Sequence, residues 1–309
     1  MTILVETQGL TKRYGSSRGI ESLTFSIEEG EVFGFLGPNG AGKTTTIRTL
    51  MGLLKPTAGS ARIGGLDCWE QSTEVKRLVG YLPGELSLDP NLTGGQILEY
   101  FGHLRGGVDQ MYLKALIERM GLDPKRKFRQ YSSGNKRKIG IVQAFMHRPR
   151  LLILDEPTNG LDPLNQQEFD RMVREVREDG RTVLLSSHIL TEVEQTCTRV
   201  AIIREGELAR VGEVSALKVI KRQEVTIQFV DAAPVAAFQS LPGVDQVDQL
   251  PDGHTLRLSV SGGLDGVIKA AAQHSVVSLT SQEPSLEDVF LRYYEGDGKA
   301  ALEASHVVP

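Results

Sequence analysis

Gly37, Pro38, Asn39, Gly40, Ala41, Gly42, Lys43, Thr44 and Thr45 form one run, and its spacing, GxxxxGK[ST], is that of a P-loop. A nucleoside triphosphate needs many fixed donors around its phosphates. Glycines let consecutive backbone N–H groups turn inward, and the N-terminus of a following helix adds partial positive charge. In such a loop Lys43 reaches the β- and γ-phosphates, Thr44 holds Mg2+, and Thr45 donates to an α-phosphate oxygen. The loop alone leaves a kinase, a GTPase, a helicase and a transport motor all open.

Two further runs place polar groups where such a ligand could meet them. Leu151-Leu-Ile-Leu154 is followed at once by Asp155 and Glu156, and Thr182-Val-Leu-Leu-Ser-Ser187 by His188. In open α/β sheets ligands gather at the carboxyl ends of the strands. An acid pair after a buried strand reads as a Walker B element, in which Asp155 would hold Mg2+ through water and Glu156 would polarise the attacking water. A helix N-cap with a first-turn acid is the plainer alternative, but it does not explain the continuation Pro157-Thr-Asn-Gly-Leu-Asp162. His188 alone reads as structural; at the same edge as Lys43 it becomes a candidate ligand of γ-phosphate or water.

These groups need a sheet to carry them. Residues 2 to about 220 alternate β-rich runs, such as Val5–Leu10, Ser22–Ile27, Glu31–Leu36 and Ala201–Arg204, with helical spacing at Thr93–Leu104, Met111–Met120, Lys136–Met146, Leu164–Glu178 and Leu190–Thr198. The strands before Gly37, Asp155 and Ser187 are apolar nearly throughout, as expected of a parallel sheet covered on both faces. After Lys221 the pattern becomes strand, helix, strand, strand, helix, strand, the ferredoxin-like order. A last helix is expected at Ser285–Tyr294 and a frayed tail beyond it. The expected fold class is α/β, with a P-loop core at 1–221, a helical subdomain at about 85–148, a small ferredoxin-like α+β domain at 222–296, and a flexible tail at 297–309.

Composition narrows the partners. The 309 residues carry 40% hydrophobic and 24% charged side chains, the proportions of a globular protein, and a net charge of −4 argues against broad nucleic-acid binding. The longest apolar runs are strand-sized, well short of the ~20 residues a spanning helix needs. The opening MTILVETQGL does not read as a secretory signal. Cys68 and Cys197 lie far apart, outside any CxxC, and are expected to be reduced thiols in a cytoplasmic protein.

Over about residues 2 to 215 the chain resembles the ATP-binding cassette (ABC) family. Tyr131-Ser-Ser-Gly-Asn135 resembles its signature loop, and Asn159-Gly-Leu-Asp162 its D-loop. Tyr14 sits where an aromatic ring stacks on adenine, a contact worth on the order of 1–3 kcal/mol. The resemblance implies ATP and Mg2+ as cofactors, and adds Tyr14, Ser132, Ser133, Gly134 and Asp162 to the nucleotide-binding set. It also implies a second copy of the chain, because the signature loop meets the ATP held by a partner's P-loop. Ser132, Ser133 and Gly134, ahead of a helix expected to begin near Asn135, would form that second anion site. Lys136, Arg137 and Lys138 read either as added positive potential or as a solvated helix face.

Three positions depart from the family pattern. Ser133 replaces the second glycine of the signature and Asn135 its glutamine. Gly84, in Gly80-Tyr-Leu-Pro-Gly-Glu85, occupies the Q-loop position and cannot supply an amide, so that ligand is missing or supplied by a neighbour such as Glu85. On these grounds restoring glutamine at 84 is expected to raise ATPase activity modestly.

Glu283-Pro-Ser-Leu-Glu-Asp-Val-Phe290 and the accessory domain resemble the ATPase subunits of bacterial exporters of the daunorubicin-resistance type. The resemblance implies a motor at the cytoplasmic side of the cell membrane, docked on integral membrane permease subunits through the surface between Gly84 and Leu104. A soluble ABC protein acting on ribosomes or DNA is the competing class, but such proteins usually carry two cassettes or long insertions, which this sequence lacks. A small-molecule P-loop kinase leaves the signature and D-loop unexplained.

Overall fold

A computed structural model describes residues 2–15, 17–218 and 222–282. The chain divides into two compact units, Met1–Glu213 and Val214–Pro309.

The first unit begins with long antiparallel strands β1 (Ile3–Tyr14) and β2 (Ser17–Glu28), followed by β3 (Val32–Leu36) and α1 (Lys43–Leu50). Next come β4 (Ala58–Ile63), β5 (Leu66–Asp67), α2 (Ser72–Leu78) and β6 (Val79–Leu82). A helical stretch, α3 (Gly94–Leu104), α4 (Gln110–Arg119) and α5 (Ser133–Phe145), leads into β7 (Leu151–Asp155). The unit closes with α6 (Pro163–Glu178), β8 (Thr182–Ser187), α7 (Leu190–Thr196), β9 (Arg199–Arg204) and β10 (Glu207–Glu213).

Six strands form a sheet in the order β10-β9-β3-β8-β7-β6, parallel except for the β10 edge, and four form a second sheet, β2-β1-β4-β5. Every residue of β3, β7 and β8 is buried, which is why their sequences lack the alternation of a half-exposed strand. One core joins the sheets: Val5, Ile20 and Ile27 from the antiparallel layer, Phe33, Phe35 and Ile153 from the parallel one, and Ile47 and Leu50 of α1 between them. Phe25 stacks on Phe33 with ring centroids 5.8 Å apart. Each fully buried side chain of this size contributes roughly 1.5–3 kcal/mol.

Register decides what meets at the carboxyl edge. Leu36 of β3 pairs with Ser187 of β8, and Asp155 of β7 pairs with Ser186. The P-loop, the acid pair and His188 therefore leave adjacent strands at one level.

Helix starts in the helical stretch are set by side-chain caps. Thr93 accepts from the Gln96 N–H in a capping box, and Asp109 accepts from the Met111 and Tyr112 N–H groups. Ser132 accepts from the Asn135 N–H, so α5 starts at Ser133, ahead of the expected start near Asn135.

In the second unit α8 (Val214–Lys218) precedes β11 (Arg222–Phe229), α9 (Val235–Gln239), β12 (Val244–Gln249), β13 (Thr255–Ser261), α10 (Asp265–Ala271) and β14 (Val276–Gln282). Its sheet runs β12-β13-β11-β14, antiparallel throughout, the ferredoxin-like arrangement. Val225, Ile227, Leu256, Leu258 and Val260 of the sheet pack with Phe238 of α9 and Val267 of α10. The expected helix at 285–294 and the tail at 297–309 lie outside the described residues.

Sequence pattern did not separate out β5, α2, β6, β10 or α8; β6 is four residues and α8 five. β5 is two residues long, α2 buries only Val75, and no residue of β10 is fully buried. Such elements carry no hydrophobic period to read.

Candidate functional site

Tyr14, Pro38, Asn39, Gly40, Gly42, Lys43, Thr44, Thr45 and Glu156, with Gly19, line a pocket of about 230 Å³. Gly37 and Ala41 support it from beneath. The Gly37 N–H donates to the Ser187 carbonyl at 3.3 Å, and Ala41 is buried in the core. Tyr14 stands half exposed at the mouth, with Lys12 Nζ 5.5 Å from its ring centroid. A flat ring with one open face beside a P-loop is suited to stacking on a base.

Lys43 opens α1 and is only 5% exposed. Its Nζ donates to the carbonyls of Gly37 at 2.5 Å and Pro38 at 3.2 Å, and lies 3.1 Å from Glu156 Oε1. Beside it, Thr44 Oγ1 donates to Asp155 Oδ2 at 2.9 Å. Asp155 is fully buried, and its Oδ1 accepts from Ser186 Oγ at 2.6 Å.

Glu156 carries the strained backbone of the site. Its φ is +52°, in the left-handed region that residues with a Cβ rarely adopt, at a cost of order 1–3 kcal/mol. Its N–H donates to Ser186 Oγ at 3.0 Å. The side chain is thereby aimed between two nitrogens, Lys43 Nζ at 3.1 Å and His188 Nδ1 at 2.5 Å. An ionised carboxylate only accepts, so Nδ1 carries the proton of that bond and Nε2 is left to face outward. The result is a chain of cation, carboxylate and imidazole along one side of the pocket. It can grip an anion at one end and polarise a hydroxyl or water in the middle.

Ser132, Ser133, Gly134 and Asp162 are not among the residues lining this pocket. Ser132 and Ser133 are exposed at the N-terminus of α5. Gly134 packs so closely on the D-loop that a Cβ there would come within 2.5 Å of the Gly160 carbonyl. The Asp162 carboxylate caps α6, accepting from Asn165 N at 3.0 Å and Nδ2 at 2.5 Å. Those two bonds hold its pKa below the ordinary aspartate value.

Two residues complete the arrangement, Ser186, which sequence reasoning did not single out, and Arg137, whose role it did not foresee. Ser186 bridges Asp155 and the Glu156 N–H; its only signal was a hydroxyl at the end of an apolar strand. Arg137 is 5% exposed, which excludes the solvated-face reading of the basic run for this residue. Its guanidinium donates to the carbonyls of Pro83 at 2.7 Å, Gly84 at 2.9 Å and Pro157 at 3.3 Å, and to those of Asp155 and Glu156. Lys138 is buried as well, while Lys136 Nζ lies 5.2 Å from the Phe128 ring centroid. Gly84 lies against the Asp155 carboxylate, and Glu85 is exposed.

Comparison with known proteins agrees with this geometry. Residues 20–159 match the ABC transporter family, and residues 212–294 match the C-terminal domain of ATP-binding proteins like DrrA1-3. The bacitracin transport ATP-binding protein BcrA of Bacillus licheniformis is 34% identical over 96% of this chain and 99% of its own length. The linearmycin resistance ATP-binding protein LnrL of Bacillus subtilis is 34% identical over 93% and 97%, and the daunorubicin resistance ATP-binding protein DrrA3 of Streptomyces coeruleorubidus 33% over 97% and 98%. A solved ATP-binding subunit of an ABC transporter superposes with a TM-score of 0.65 at 30% identity, covering 70% of this chain and 92% of that one. A dimeric cassette in a post-hydrolysis state, bound to ADP and Pi, shares the fold at a TM-score of 0.63 and 22% identity, covering 68% and 99%. The chain belongs to the ATP-binding, ATP-hydrolysing subunits of ABC transporters.

Proposed function

We propose that this chain is the motor subunit of an exporter that carries a drug, an antibiotic or a lipid-like compound through separate membrane subunits. The observation that carries the enzymatic half is the placement of the Glu156 carboxylate between Lys43 and His188. In this reading Lys43 neutralises the β/γ-phosphates, Glu156 polarises the attacking water, and His188 holds the γ-phosphate or that water. Thr44 Oγ1 and Asp155 Oδ2, a hydroxyl and a carboxylate 2.9 Å apart, are hard oxygen donors of the kind Mg2+ prefers. Bound there, Mg2+ would offset the charge of the phosphates. Tyr14 supplies the stacking face for adenine.

The transport half rests on likeness along nearly the whole chain to subunits named for bacitracin transport and for linearmycin and daunorubicin resistance. Among the described residues no helix is long and apolar enough to cross a membrane. The pathway is therefore assigned to integral membrane partners, with this chain peripheral on their cytoplasmic side. Ser132 and Ser133 are exposed, and with the half-buried Gly134 they lie off the Lys43 pocket, which supports their serving the nucleotide of a second, head-to-tail copy. Asp162 fixes the start of α6 at that junction.

Co-purification of the chain from solubilised membranes tests the reading. Recovery with a polytopic membrane protein whose presence stimulates ATP hydrolysis is the expected result. Sedimentation with ribosomes and no membrane partner would overturn it.

A further inference from the structure

We infer that Arg137 is a positioning residue for ATP hydrolysis, tying the Gly84 loop to the peptide groups that aim Asp155 and Glu156. The inference rests on the reading of Glu156 as the water-polarising group.

β6 and β7 pair in parallel only as far as Leu82 and Leu154. Beyond that register β6 leaves the sheet as Pro83-Gly84, while β7 runs one residue further, with Asp155 paired to Ser186 of β8, before turning away as Glu156-Pro157. Five carbonyls of these segments, some buried and some partly so, converge on one side of α5, where that of Glu156 also accepts from the Asn159 N–H at 3.2 Å, and buried carbonyls are nearly always satisfied. Arg137 satisfies all five. Its Nη1 donates to Pro83 and Gly84, Nη2 to Asp155 and Glu156, and Nε to Pro157. No ammonium could do this, since the fork of a guanidinium presents five donors in one plane.

Burying this cation is costly, because among the described residues no carboxylate bonds it directly. Desolvation lowers the affinity of the guanidinium for its proton, and the nearby charges of Asp155 and Glu156 oppose that. Two consequences follow from the geometry. The strained peptide of Glu156 is fixed at both ends, its N–H by Ser186 and its carbonyl by Arg137. The Gly84 peptide is drawn against the Asp155 carboxylate so closely that a Cβ would stand 3.0 Å from Oδ2. Movement of the Gly84 loop is thus passed through carbonyls to the acid pair, with no side-chain amide needed at position 84. Arg137 also lies on α5, whose N-terminus carries Ser132 and Ser133, so the three segments are joined at one side chain.

Steady-state ATPase kinetics and equilibrium binding of a fluorescent ATP analogue test this on the full chain with Arg137→Lys and Arg137→Ala. Both are expected to lower kcat about 10–100-fold, the scale of a misplacement near 1 Å. Both are expected to leave KM and nucleotide affinity within about twofold of the parent, since neither removes a group of the Lys43 pocket. Retention of the parent kcat by Arg137→Lys, or a KM that rises in step with the loss of kcat, overturns the inference. Should Arg137→Ala not fold, Arg137→Lys, which keeps length and charge, decides alone. A Glu156→Gln control separates the two levels. If it turns over like the parent, the reading of Glu156 fails; if it is inactive while Arg137→Lys is fully active, only the role of Arg137 fails.

Discussion

Lys43 Nζ and Glu156 Oε1 lie 3.1 Å apart in a nearly buried ion pair, so the proposed phosphate-binding cation and the proposed water-polarising acid hold each other in place. A triphosphate entering the pocket must compete with Glu156 for Lys43. Phosphate gain and carboxylate release are therefore coupled in one step, which readies Glu156 for a water at the moment the γ-phosphate arrives.

Lys43→Ala removes the cation and leaves the backbone donors of the loop. Charged hydrogen bonds are worth about 1.5–3 kcal/mol each, so ATP affinity is expected to fall about 10–100-fold or more, and turnover to background. Isothermal titration with ATP and Mg2+ measures the first and phosphate release the second. Parent-like turnover in this variant removes the P-loop assignment.

Glu156→Gln keeps the shape of the side chain but takes away its charge. It is expected to bind ATP at least as well as the parent, because Lys43 no longer has a competing carboxylate. Hydrolysis is expected to fall about 10²–10⁴-fold, the range of a lost general base. Size-exclusion chromatography with ATP should then show an accumulated dimer. A monomer that binds ATP without hydrolysing it would argue against the head-to-tail arrangement.

The chemical groups at the sheet edge were legible because each sits in a contiguous run with an apolar strand before it. Lys43, Asp155, Glu156 and His188 needed only the rule that ligands meet strand ends, and the β3, β7 and β8 registers bring them together. The ferredoxin-like order of the second unit was legible from the alternation of its central strands, Val225, Ile227 and Phe229 in β11 and Leu256, Leu258 and Val260 in β13. Arg137 was not legible. Its partners are main-chain carbonyls of two other segments, and a carbonyl looks the same in every residue. Its neighbours Lys136 and Lys138 made it resemble a solvated stripe, although α5 turns it inward. Ser186 was hidden because a hydroxyl in a buried strand has no sequence period of its own.

Ser186→Ala strands the buried Asp155 Oδ1 and the part-buried Glu156 N–H. Leaving buried polar groups unpaired costs about 1–3 kcal/mol, and thermal unfolding should move down by several degrees. Because Glu156 then keeps its left-handed φ with one support fewer, kcat should fall while KM for ATP stays near the parent value. Unchanged stability and kcat would mean that the serine is a spectator.

Gly84 gives the sharpest disagreement between pattern and geometry. The missing glutamine amide leads one to expect a modest gain from Gly84→Gln. The space available leads to the opposite expectation, since any Cβ at 84 stands 3.0 Å from Asp155 Oδ2. Either Asp155 shifts, loosening its bond from Thr44, or the loop backs away from Arg137. Gly84→Ala and Gly84→Gln should therefore both lower kcat, and to a similar extent, because both add the same Cβ. A gain in Gly84→Gln with a loss in Gly84→Ala would show that the amide outweighs the contact. Phosphate-release kinetics on the two variants, side by side, decides between them.

The bond from His188 Nδ1 to Glu156 Oε2, at 2.5 Å, makes a separate claim about which nitrogen works. With Nδ1 occupied, Nε2 is the atom available to a phosphate oxygen or water. Asparagine has an amide nitrogen near the position of Nδ1 and nothing that reaches as far as Nε2, whereas glutamine extends toward Nε2. His188→Asn is therefore expected to preserve the orientation of Glu156 yet lose about 10–100-fold in kcat, a share of the 10²–10⁴-fold typical of such a group. His188→Gln should recover part of that loss. The order of the two kcat values is the measurement, and a His188→Asn variant faster than His188→Gln would place the role of His188 in holding Glu156 and not in touching the ligand.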